Sequence, residues 1–164
     1  MRTGSAVWTC SAELVLALAD HLGFPTDNYL NGTHTWLADR GPGGATIEWR
    51  LHPVAAYRAP EGLSHYDLWD LVVDQLRGGV DPGALTLGEE RRALVSLWDG
   101  LEVFAAYGDE LEPAVLAGIG AEVLGGPPAA AGLVDHARIG EAWERAGRGV
   151  SIVSLLLEEL RAEA

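Results

Sequence analysis

Between Ser11 and Leu22 the apolar residues Leu14, Val15, Leu18 and Leu22 recur at helical spacing, and Gly23-Phe24-Pro25 follows as a stop. A helix is expected there. Leu16, Ala17 and Ala19 fill the rest of its surface, which places it centrally with more than one buried side. Asp27, Asn28, Asn31 and Gly32 then cluster as turn formers. The period next changes to two: Ala45, Ile47, Trp49 and Leu51 alternate with Thr46, Glu48, Arg50 and His52, the pattern of a strand with one face on a core. His34 to Asp39 is joined to it by Arg40-Gly41-Pro42-Gly43-Gly44, so the pair reads as an antiparallel hairpin. Val54 to Arg58 can add a third strand after a break at Pro53.

The second half reads as helices. Ser64 and Asp67 are spaced as a capping box and Leu63 and Leu68 as a hydrophobic staple, so a helix starts at His65, carries Leu68, Leu71, Val72 and Leu76 on one stripe, and stops at Gly78-Gly79. Thr86 and Glu89 repeat the capping pattern ahead of Leu94, Leu97, Trp98 and Leu101, which predicts a longer helix to about Tyr107. Pro113 suits the first turn of another, reaching about Leu124, with Gly118 and Gly120 as points of close packing. Two more are expected near Leu133 to Ala146 and Val150 to Arg161. The run Val150 to Leu157 also suits a buried strand, and the continuation Glu158-Glu159-Leu160-Arg161 tips it to helix. The expected architecture is α+β and mainly α-helical. It is a single globular domain over residues 1–164, with an antiparallel β-hairpin in the N-terminal half packed on a helical core.

Composition supports a chain that folds unaided, since 48% of residues are apolar and 21% charged, near ordinary globular usage. The 11 basic and 24 acidic residues give a formal charge of −13, which repels a nucleic-acid backbone. Every basic residue is Arg, which reads as codon bias before it reads as chemistry. Cys10 is the sole cysteine, so no intrachain disulfide can form and a cytoplasmic location is expected. No apolar run approaches the length that spans a bilayer.

HExxH, CxxC, GxxxxGK[ST] and GxSxG are absent, which removes the most legible zinc, nucleotide and serine-hydrolase classes. The five histidines, at 21, 34, 52, 65 and 136, share no helix face, so neither a metal nor another cofactor is implied. Two constellations remain. His52 ends the strong strand and His65 opens the next helix with Asp67 and Asp70 behind it, a set that can act as an acid–base pair or mixed ligands if the two ends meet. Against this, Asp67 already serves as a cap and Asp70 continues with Asp74 as a solvated face. The second is the polar face of the hairpin, where Glu48, Arg50 and His52 project together and Tyr29, His34 and Trp36 lie nearby in sequence, aromatics beside Arg being typical of interface hot spots. Its plain alternative is an ordinary solvated strand.

The functional expectation is therefore a non-enzymatic acidic binding protein of regulatory, immunity or adaptor type, acting on a protein partner through Glu48, Arg50 and His52. The competing expectation is a small-molecule enzyme, metal-assisted or not, using His52, His65 and neighbouring carboxylates. A deep pocket joining such residues favours the enzyme, and a flat exposed hairpin favours the binder.

Overall fold

A computed structural model describes residues 2–22, 28–31, 34–54, 65–87, 90–92, 98–105, 108–146 and 150–162; within these, the side chains of 28–31, 34–36, 65–68, 87 and 90–92 lie outside the description. The chain runs β1 (Thr3–Thr9), α1 (Ala12–Leu22), β2 (Asn28–Asn31), β3 (His34–Arg40), β4 (Thr46–Pro53), α2 (His65–Arg77), β5 (Leu85–Leu87), β6 (Glu90–Arg92), β7 (Trp98–Ala105), α3 (Pro113–Leu124), β8 (Ala130–Val134), α4 (His136–Arg145) and α5 (Ile152–Ala162). Six strands form one sheet in the order β2-β3-β4-β7-β1-β8, every neighbouring pair antiparallel. β5 and β6 make a separate two-stranded ribbon. Among the described residues, no helix is long and apolar enough to cross a membrane.

The fold is thus α+β with a six-stranded sheet at its centre, and the expectation of a mainly helical chain with one hairpin is overturned. The expected hairpin exists as β3 and β4, but it is one side of a larger sheet. The segment read as a long helix after Thr86 contains β5, β6 and β7. Of the residues that carry its helical spacing, Trp98 and Leu101 stand in β7, and Leu94 and Leu97 lie outside the described residues. The decisive stretch, Leu101-Glu102-Val103-Phe104-Ala105, is buried on both faces in mid-sheet, where no alternation marks a strand. β1 escaped notice for the same reason, since Gly4 to Trp8 is buried throughout. The Asn-rich segment read as a turn supplies β2, and Thr86 begins no helix: its N–H donates to Gln75 Oε1 at 2.8 Å. Val54 is outside any strand, and 55–58 and Ser64 lie outside the described residues.

Strand parity divides the sheet. On one face Ala6, Trp8, Ile47, Trp49, Leu51, Leu101 and Val103 pack with α1, α2 and α3, and Cys10 joins them as a small apolar residue. Burial, with Asp99 adding, pushes its thiol up to about 12. Gly120 lies against the Trp8 indole, where a Cβ would stand 2.8 Å or less from ring atoms, so this glycine of α3 serves close packing, whereas a Cβ on Gly118, read the same way, would meet nothing within 4 Å. On the other face Val7, Val134, Ile139, Ile152, Val153, Leu156 and Leu160 form a smaller core under α4 and α5. Beyond it, toward β4, that face is lined with polar residues.

Candidate functional site

On this second face β4 presents Glu48, Arg50 and His52, and β7 presents Glu102 and Phe104; Glu48 lies opposite Phe104 and Arg50 opposite Glu102. β1 adds Ser5, whose register partner is Phe104, and Thr3 two residues before it. His136, the first residue of α4, comes over this face because Asp135 caps the helix, accepting from the N–H groups of Ala137 at 3.1 Å and Arg138 at 3.2 Å. Those backbone hydrogen bonds pull the Asp135 carboxyl below its ordinary range.

Glu102 is the hub. It is fully buried. His52 Nε2 lies 3.1 Å from its Oε1, while its Oε2 accepts from Ser5 Oγ at 2.6 Å and has His136 Nε2 at 2.6 Å. Arg50 Nη1 stands 4.0 Å from Oε1. Burial alone would raise this carboxyl, but the hydrogen bonds from His136 and His52, and their charges, hold it well below the usual carboxylate range. The result is an anion whose two oxygens are saturated by donors. For His52 burial dominates and lowers its pKa, partly offset by Glu102, so the ring is neutral at pH 7 and donates Nε2–H.

His136 completes a chain. Its Nε2 faces Glu102, and in the tautomer that donates Nε2–H to that carboxylate Nδ1 is the acceptor, 3.1 Å from Thr3 Oγ1. The ring is tilted against Phe104 with centroids 4.9 Å apart, and the Arg50 guanidinium sits over the same phenyl ring at 4.7 Å.

Glu48 behaves differently from Glu102. It is only 2% exposed, yet its Oε2 is buried without a hydrogen-bond partner. Burial raises its pKa, opposed by Arg50, reinforced by Glu102 and opposed again by His136. Glu48, Arg50, Phe104, His136 and Thr3 all line one open cleft of about 670 Å³, closed on the far side by the segment Gly108 to Val115 that leads into α3. Gly4 lets that segment approach, since a Cβ there would collide with the Leu111 carbonyl oxygen.

The sequence-derived candidates separate accordingly. Glu48, Arg50 and His52 do share a face, as the alternation required, but Glu48 and His52 are buried and Arg50 nearly so, and none forms a solvated surface. His52 meets Glu102. Asp70 is exposed on α2, and the side chains of His65, Asp67, Tyr29, His34 and Trp36 lie outside the described residues. Sequence reasoning missed Glu102, His136, Thr3 and Phe104. A lone Glu within the apolar run Leu101 to Ala105 was the available signal, because a carboxylate in a doubly buried strand needs partners. Among the described residues, no group of three or more His, Cys, Asp or Glu is arranged to hold a metal ion. Comparisons of the chain with protein-family models, with curated proteins and with solved structures find no match.

Proposed function

We propose that this chain binds a small molecule in the cleft and performs acid–base chemistry on it with His136. The observation that carries the reading is the hydrogen-bonded series Thr3 Oγ1, His136, Glu102, which ends in the cleft at one end and in a buried anion at the other. An imidazole in this setting has its tautomer and plane fixed by the carboxylate, leaving Nδ1 as the base. When Nδ1 takes a proton from a ligand, the imidazolium that forms lies 2.6 Å from Glu102, whose charge stabilises it. Thr3 Oγ1 marks where a ligand hydroxyl or amine would stand. General acid–base groups of this kind contribute roughly 10²- to 10⁴-fold.

A role in capturing a protein partner would need a surface other than the even-numbered face of β4, since Glu48 and His52 are not accessible to one. The test is histidine-labelled NMR of the whole chain against a library of small polar molecules. Binders should move the His136 ring resonances, and Thr3→Val should alter the Nδ1 shift in the free protein. If every binder moves exposed His21 and leaves His136 unchanged, the proposal fails.

A further inference from the structure

Resting on the cleft reading, we propose that the ligand is an organic cation, a protonated amine on an apolar body, and that Glu48 is the carboxylate that receives it. A buried acceptor without a donor is rare in a folded protein, and one on a cleft wall asks for its donor from a ligand. Glu48 meets this description: it is buried, it lines the cleft and its Oε2 has no hydrogen-bond partner. Arg50, two residues along the same strand, is turned to Glu102 and to the Phe104 ring.

The remaining walls agree on the sign of the charge. Asp109, Glu110 and Glu112 stand along the far side, so four carboxylates counting Glu48 face two guanidiniums, Arg2 and Arg50. An anionic ligand would meet a net negative field, whereas a cation is drawn in. Beside these, Val115 and Leu133 are 40% and 43% exposed at the cleft, an apolar shelf for the body of the molecule. The titratable and charged groups facing Glu48 are Arg50 on its own strand, Glu102 on β7 and His136 on α4. In the empty cleft burial favours the protonated carboxyl. A bound ammonium reverses that preference and expels the proton.

The experiment uses the full chain and a set of primary aryl- and alkylamines, each matched with the alcohol and the carboxylate of the same skeleton. Binding is followed by calorimetry and by the His136 ring resonances. Amines should bind at least tenfold more tightly than their matched alcohols and carboxylates. Glu48→Gln should remove that preference while the variant stays folded, and below neutral pH the wild type should release protons on amine binding where the variant does not. Alcohols or carboxylates that shift His136 as well as amines do would overturn the cationic ligand and leave the cleft reading intact. An amine preference retained by Glu48→Gln would overturn Glu48 as the receiving group. If no member of any set moves His136, both readings fall.

Discussion

Glu48→Gln should make the free protein more stable, the opposite of what removing a buried charge usually does. Burial raises the Glu48 carboxyl above its ordinary value of 4.5, Arg50 opposes this and Glu102 adds to it. The folded state therefore holds this proton more tightly than the unfolded chain. The favourable contribution is fully present below about pH 4.5 and is lost as pH rises through the folded-state value. Above that value the ionised carboxylate is a desolvated charge whose Oε2 has no hydrogen-bond partner. An unsatisfied buried polar group costs roughly 1 to 3 kcal/mol, and the glutamine amide retains part of that cost, so the net gain should be about 1 kcal/mol. For a chain of this size that is about 2–4 °C in Tm. Urea unfolding followed by tryptophan fluorescence, near neutral pH and again near pH 4.5, measures it. The advantage should shrink toward zero at the lower pH. A variant no more stable than wild type at neutral pH would refute the claim that burial of the Glu48 charge costs stability. A gain unchanged at low pH would show that charge is not its source.

Glu102→Ala should cost on the order of 3–5 kcal/mol, because it strips a shared partner from His52, His136 and Ser5; chemical denaturation reads this directly. Wild-type stability should fall on acidification in two stages, since the unfolded chain binds protons that the folded one resists, first at His52 below about pH 6.5 and then at Glu102 below about pH 4.5. In the Glu48→Gln background, which removes the opposite contribution of Glu48, a denaturation midpoint flat from neutral to pH 4 would contradict the burial of both groups. Trp49→Ala should destabilise by about 3–5 kcal/mol, its indole being fully buried, and a loss under 1 kcal/mol would place that side chain outside the core. Gly120→Ala should cost about 1–3 kcal/mol, read as a shift in denaturation midpoint, because its methyl group would meet the Trp8 ring.

The helices were legible where a stop or a cap follows a one-sided stripe. α1 ends at Leu22 just before the Gly-Phe-Pro stop, α2 begins at His65 and ends at Arg77 before Gly78, and α3 begins on Pro113. The strands divide by burial. β4 alternates visibly and was legible. β1 and β7 sit in the middle of the sheet and are covered on both sides, so both parities are buried and the period-two signal vanishes. A chain scanned for periodicity then offers Leu94, Leu97, Trp98 and Leu101 as a helix, and nothing local contradicts it.

That one error also hid the site. Parity along β4 separates Ile47, Trp49 and Leu51 from Glu48, Arg50 and His52, but it says nothing about what covers the second set. Whether a charged face is solvated or buried depends on counter-charges, and here they come from Glu102 on β7, 50 residues from His52 in sequence, and from His136 on α4. With 98–105 read as a helix, Glu102 has no reason to stand opposite Arg50, and a solvated strand face is the economical conclusion. Once β7 is a strand, the register places an anion between Arg50 and His52, and burial of the face follows from their mutual satisfaction. Glu48 lies one register step beyond that network, opposite Phe104 and without a donor of its own. Its isolation is set by the pairing of β4 with β7, and for that reason it is the residue through which a ligand can be told apart from a structural partner.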